Sequence, residues 1–449
     1  MKSTPYLRAN LILALGLVVL CAGPLAAQGG APVIVLQGGT VHTLAGPPIE
    51  NGTVIIRGGR IAAVGAGLQV PDDATEVINV AGLHVYPGLF DSLSRLGLTE
   101  IGAVSATGDT TELGNYNPEL RAATAIHPAS EHIPVARANG VTHAVAAPGS
   151  GGISFFGFGG FSGGVMPGQA SLVHLSGWTV EQMLIQPSVG LVLNWPTIQT
   201  LTFDFSTFSI KEKPFTQAKK EYEERVAELE DWIEAAQHYA QALEQGSAEN
   251  FQRDLKLEAL VPVVRGQLPV LLMANLERDI RNGLEFCEKH GLKVILFGGA
   301  EAWKVKEMLA EKGIPVVLRP TQAMPGQEDE PYDQPFANPG ELHAAGVTIA
   351  FATFSSSNSR LLPYEAAMAV PYGLPREEAL RAVTLNPAEI FGVADQFGTI
   401  EEGKVANLIV TNGDPLEIPT EVRYLIIQGK ITSTANKHRE LYEEYMARP

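Results

Sequence analysis

The sequence predicts an α/β protein in which a distorted (β/α)8 barrel sits beside a small composite β-sandwich built from both chain ends. Three observations carry this reading. Short β-branched runs separated by Gly-Gly, Gly-Pro and Asp-Asp turns fill Val33 to Tyr86. The same style returns after Gly398 and runs to Lys430. Between the two, apolar strand-like runs alternate with amphipathic helical patterns, as a parallel sheet wrapped by helices requires. A chain of 449 residues is long enough for one large core and a smaller appended unit.

The elements follow in order. Lys2 and Arg8 precede an apolar run from Leu11 to Ala22, and small residues lead to Ala27. Charged, apolar and small-residue zones in that order read as a secretory signal over 1–27, and so as a periplasmic or secreted protein. The apolar run is too short for a spanning helix, so no integral membrane domain is expected. Cys21 offers a lipid anchor only weakly, because the bulky Leu20 precedes it. The sandwich is expected over 28–85 and 393–435, with hairpin turns at Asn51-Gly52 and Gly58-Gly59. The barrel follows over 86–392 and a tail over 436–449. Its strands are read at His84 to Asp91, Val141 to Ala147, Ser171 to Leu175, Val189 to Trp195, Leu268 to Ala274, Lys293 to Phe297, Pro315 to Leu318 and Val347 to Ala352. Helices are read at Asp279 to His290, Ala302 to Glu311 and Arg376 to Thr384.

Two insertions interrupt the alternation. Gly149 to Gly168 is rich in glycine and phenylalanine and reads as a loop with aromatic tips over the barrel mouth. Over 211–258 the chain is charged and helical, with Tyr222, Val226, Leu229, Ile233, Ala236, Ala240 and Leu243 at alternating spacings of four and three. Trp232 and Tyr239 widen that stripe. It suits packing on the barrel flank, and it leaves a homo-oligomer contact or a lid open.

Composition excludes some partners. The formal net charge is -17, and loss of Lys2 and Arg8 with the leader takes it to -19. Nucleic acid and anionic membranes need basic patches, so neither is an expected partner. Cys287 alone would remain after processing, which rules out an internal disulfide. Its helical setting points to packing rather than reactivity.

Ala81-Gly82-Leu83-His84-Val85-Tyr86 leads into Pro87-Gly88-Leu89-Phe90-Asp91-Ser92-Leu93-Ser94-Arg95, and Glu402-Gly403-Lys404-Val405-Ala406-Asn407 precedes the last strands. Both runs resemble the amidohydrolase superfamily, in which the first barrel strand ends in Asp-x-His-x-His and aspartate is usual where Asn407 stands. Leu96-Gly97-Leu98-Thr99-Glu100-Ile101 is similar to the imidazolonepropionase-like secreted branch. The resemblance implies a hydrolase of non-peptide C–N bonds in a small molecule, with zinc as the family's cofactor. It also implies histidine ligands ending strands one, five and six and an aspartate general base ending strand eight.

This chain holds none of them. Leu93 and Arg95 occupy the strand-one places, Met273 the strand-five place, Gly298 the strand-six place and Phe354 the aspartate's place. Arg95 adds a permanent cation that would repel a divalent ion. No cofactor is therefore predicted at the standard site, although a rebuilt divalent-metal site stays open. Neither His-x-His nor His-Glu-x-x-His occurs. His127 and His132 flank Ser130 at a helix start, and His343 lies on a helix before strand eight, so all three read as structural.

Candidate mouth residues remain. Glu100, Asp109 and Glu112 cluster after strand one and suit a salt bridge to Arg95, a hard cation or a cationic substrate. Asn275, Arg278 and Arg319 end strands, Glu301 and Trp303 open a helix, and Asp91 supports the end of strand one. No Ser-His-Asp or Cys-His set has workable spacing. Two readings follow: an extracytoplasmic hydrolase with a rebuilt site, or a catalytically inactive member that binds a small ligand or protein partner at the mouth.

Overall fold

A computed structural model describes residues 32–149, 164–204, 207, 209–245, 253–327 and 329–448. The expected signal over 1–27 and most of the stretch read as a loop over 149–168 lie outside the described residues. No helix among those described is long and apolar enough to cross a membrane.

One sheet of eight strands forms a nearly closed barrel. In barrel order its strands are Leu89–Ser94, Val141–Ala146, Gly168–His174, Leu184–Asn194, Val270–Ala274, Val294–Gly298, Val316–Leu318 and Ile349–Phe351. The ring closes where the Phe354 amide donates to the Leu93 carbonyl at 2.9 Å and the Arg95 amide to the Ser355 carbonyl at 3.4 Å. Side chains alternate as the pleat demands. Leu271, Met273, Ile295, Phe297, Val317 and Ala350 turn into the barrel, while Leu272, Leu296, Val316 and Ile349 pack outward against the helices.

The expectation of an all-parallel barrel fails at strand three. Gly168–His174 runs antiparallel to both neighbours. A parallel return needs a crossover of a dozen or more residues. The link to strand four holds only the four-residue helix Val180–Met183, so the chain folds back as in a hairpin. The predicted strand from His84 to Asp91 is also two strands. His84–Pro87 belongs to a second sheet, and the barrel strand starts at Leu89. Gly88 makes the change of sheet, because a Cβ there would lie 2.3 Å from the Thr142 side chain.

The second sheet joins strands from both parts of the chain, in the order Lys430–Thr432, Val422–Ile427, Leu408–Thr411, His84–Pro87, Val33–Val41, Ile49–Arg57, Arg60–Ala66, with Glu76–Asn79 beside Val33–Val41. Gly58 and Gly59 form a hairpin turn, both at positive φ. Asn51-Gly52 does not turn; it lies inside Ile49–Arg57, opposite a register shift at Gly39. The bulge uses the same tolerance of positive φ, which Asn51 adopts at 49°.

Helix Phe215–Glu244 is preceded by a two-stranded hairpin, Leu201–Asp204 with Ser209–Glu212, so the insertion expected to be helical from 211 begins as strand. Its stripe packs inward. Leu229, Ile233, Ala236, Tyr239 and Ala240 are buried, and Trp232 stacks on Tyr116 with ring centres 5.3 Å apart. Tyr222 and Val226 are half-buried and Leu243 is exposed, so the stripe is spent on the flank of the barrel. Cys287 is fully buried on helix Glu277–Lys289, and burial pushes its thiol up to about 12, which leaves it protonated and inert.

Candidate functional site at the barrel mouth

Strand ends and the loops that follow them build the mouth. At the seam between strands one and eight, Asp91 is fully buried. It accepts from the Thr353 amide at 3.0 Å and from the Thr353 hydroxyl at 2.5 Å. Ser359 and the Leu93 amide also donate to it, yet desolvation dominates and raises its pKa to about 7. Ser94 extends the network through the Ser359 hydroxyl at 2.9 Å. Asp91 thus clasps strand one to strand eight, the supporting role its position suggested.

Around that clasp the places that the family gives to metal ligands are apolar. Leu93 and Met273 have no exposed surface and pack with Phe297, Val317 and Ala352 in the barrel interior. Phe354 is partly buried against the same cluster at φ 52°. At strand six, Gly298 has φ 93°, and a Cβ there would meet the Asn275 Oδ1 at 2.6 Å. No imidazole fits at that position without moving its neighbours. Arg95 is half-buried, and desolvation lowers its pKa. Apolar side chains and a guanidinium supply no donor to a divalent cation, so this residue set does not fit the family's metal. Among the described residues no group of three or more His, Cys, Asp or Glu is arranged to hold an ion.

The acids after strand one are not assembled. Glu100 has one carboxyl oxygen buried without a partner, whereas Asp109 and Glu112 are exposed. Among the described residues no hydrogen bond or ion pair joins the three. His132 is engaged by its Nε2 with the Glu100 carbonyl at 2.7 Å, and Ser130 accepts from the His132 amide at 3.3 Å. His343 is 3.9 Å from Glu378 on the outer helices.

A polar corner does form over strands five to seven. Glu301 is buried, accepting from the Glu277 amide at 2.5 Å and from Lys304 at 2.9 Å. Lys304 also lies over the Trp303 ring at 5.2 Å and within 3.5 Å of Glu330. Arg278 reaches Asp279 at 3.2 Å. Arg319 is desolvated enough that its pKa falls, and it borders a cavity of about 10 Å³ with Glu330 and Asn338, room for one water. The Oδ1 atoms of Asn275 and Asn338 and the Nε1 of Trp303 are buried with no partner among the described residues, so this corner keeps unused hydrogen-bonding capacity. Sequence reading found Asn275, Glu301, Trp303, Arg278 and Arg319 but missed Asn338 and Glu330. Neither has a local signal: Asn338 sits mid-helix in Gln334–Ala344, and its value comes from a bond to the Gly299 carbonyl at 3.0 Å.

Beneath the barrel a second buried polar set was also missed. Asn407 lies between His174 at 3.1 Å and His143 at 3.5 Å, and its Oδ1 accepts from the Gln428 amide at 2.8 Å. Thr142 bonds the His143 Nδ1 at 2.6 Å. Burial lowers His174 to about 4 and holds His143 well below its usual value, so both imidazoles are neutral. Asn407 is thus a neutral tie between barrel and second sheet.

Comparison with known proteins agrees with the fold. A model of the amidohydrolase family matches residues 365–433. The amidohydrolase tasK of Hapsidospora irregularis is 25% identical over 385 residues, covering 82% of this chain and 38% of that protein. An imidazolonepropionase of Bacteroides thetaiotaomicron is 31% identical over 149 residues, covering 29% of this chain and 34% of that protein. The chain therefore spans well under half the length of these curated relatives. The crystal structure of an amidohydrolase from Thermotoga maritima superposes with a TM-score of 0.73 at 26% identity, covering 89% of this chain and 99% of that one.

Proposed function

The chain belongs to the amidohydrolase superfamily, and from that premise we propose that it is a binding member of the family rather than a metal-dependent hydrolase. One observation carries the reading: Leu93 and Met273 fill two ligand places as fully buried core side chains. Removing such residues from water contributes about 1.5–3 kcal/mol each, so these places now serve stability. The ligand is a small molecule or a protein segment taken at the mouth. There the desolvated Arg319, Asn275, Asn338 and Trp303 offer directed polar groups, and Arg95 offers a charge. We place the protein outside the cytoplasm, on the leader-like pattern of residues 1–27.

The relatives' names support a second reading, hydrolysis; on it, the bond would be a non-peptide C–N bond and the site would draw on Glu100, Asp109 or Glu112, which follow strand one. The two separate in one experiment. The purified chain is incubated with a panel of cyclic amides, N-acyl amino acids and dipeptides, with and without added zinc or manganese. The binding reading expects no metal-dependent turnover. Turnover that a chelator abolishes and the metal restores would replace it with the hydrolase.

A further inference from the structure

A further cavity opens at the other end of the barrel. It measures about 770 Å³ and opens beside the N-terminal ends of strands four to seven, far along the strands from the mouth residues. That volume lies within the range of sites for drug-sized molecules. Its inner wall is apolar: Leu284, Leu292, Ile314, Ile390 and Phe391. Phe391 also plugs the barrel from below, with ring centres 5.8 Å from Phe90 and 6.4 Å from Phe297, so the wall is fixed by the core rather than by a loop.

The rim is polar and its charge is unbalanced. Lys312 is paired with Glu288 at 2.7 Å, whereas Lys293 is exposed and has no ion-pair partner among the described residues. The lining thus carries one formal positive charge in excess on a chain whose net charge is -17. In addition, the Ser188 hydroxyl is buried in the wall without a hydrogen-bond partner among the described residues, and an unmade bond of that kind costs about 1–3 kcal/mol. A ligand that accepts from Ser188, pairs with Lys293 and fills the apolar wall would satisfy all three features.

We propose that this cavity is a binding site for a small amphiphilic carboxylate, with its apolar body on the Phe391 wall and its anionic head at Lys293. The site is independent of the barrel mouth. A lone acid and an acyl group bearing a carboxylate share this chemistry.

Fluorescence titration of the intact chain with 8-anilinonaphthalene-1-sulfonate, followed by displacement with decanoate and with decanol, tests the proposal. One saturable equivalent of the dye is expected, with decanoate displacing it at least tenfold more effectively than decanol. Lys293→Glu should erase that tenfold preference while decanol is unaffected. Ile390→Trp should abolish both. Because Ile390 borders the core, Gln186→Trp at the half-exposed rim is the parallel blocking variant, with circular dichroism confirming the fold of each. No saturable site, equal displacement by acid and alcohol, or dye binding that survives both blocking variants would overturn the assignment. Addition of the family member's peptide-like amides without dye displacement leaves the mouth reading separately answerable, since no mouth residue is altered.

Discussion

The two ends of this barrel have diverged in opposite ways. At the mouth, where an amidohydrolase keeps its ligands, the strand ends are sealed: Leu93 and Met273 are core, Gly298 has no room for a side chain, and Asp91 is consumed in holding the seam. At the base a cavity of about 770 Å³ opens against Leu284, Ile314 and Phe391. The mouth strand ends are taken up in core packing, whereas the base leaves the Ser188 hydroxyl and the Lys293 cation beside an open cavity.

Four tests would break or sharpen that contrast. The largest effect is expected from restoring the strand-six ligand. Gly298→His would force a side chain into a position at φ 93° with Asn275 2.6 Å away, and should cost about 4 kcal/mol in chemical denaturation or prevent folding. A variant of unchanged stability would show that the mouth has the room the family needs. Next, Asp91→Ala leaves the Thr353 amide and hydroxyl unpaired in the interior, and should cost about 3 kcal/mol. Asp91→Asn keeps one acceptor and should cost less. Equal losses would mean that the one oxygen asparagine retains contributes nothing to the seam.

Leu93→His, third, buries an imidazole among apolar side chains and should cost about 2 kcal/mol, with zinc giving no thermal stabilisation. A zinc-dependent rise in melting temperature would reveal hidden donors.

The smallest effect is a slope with pH. His174 has a folded pKa of about 4 against 6.5 unfolded, and burial also holds His143 well below its usual value. Between pH 6.5 and 4 the unfolded chain therefore takes up protons that the native chain refuses. Stability from this pair is fully present above 6.5 and lost as pH falls through that window. Asp91 acts in the opposite sense: its pKa is raised to about 7 from 3.8, so the stability it adds is present below 3.8 and lost as pH rises through 7. Two histidines set against one carboxyl leave these three groups a net gain of stability as pH rises near 5.5. Replacing both histidines with glutamine should reverse the sign of that contribution, and unfolding midpoints from pH 4 to 7 would read it. An unchanged slope would mean that the pair is solvated.

Much of the fold was legible because periodicity and turn residues are local. The strand runs from Val141 to Phe351, the helix at Glu277–Lys289 and the hairpin at Gly58-Gly59 all follow from pattern. Strand three was not, because its direction depends on the length of the link that follows it. The break at Gly88 was hidden too, since only its contact with Thr142 reveals it. For the site, the position of Asp91 at the end of strand one was legible, and it bonds Thr353 there. Sequence reading did not find Asn338, Glu330 or the His143–Asn407–His174 set, whose members are far apart in the chain and meet only through packing.

The most direct test of the central claim is a calorimetric titration of zinc into the intact, metal-free chain, with elemental analysis of protein purified without chelators. The account predicts no saturable heat at micromolar zinc and far less than one ion per chain. One or two tightly held equivalents would contradict it, and would show that donors this barrel lacks at Leu93, Met273, Gly298 and Phe354 are supplied elsewhere.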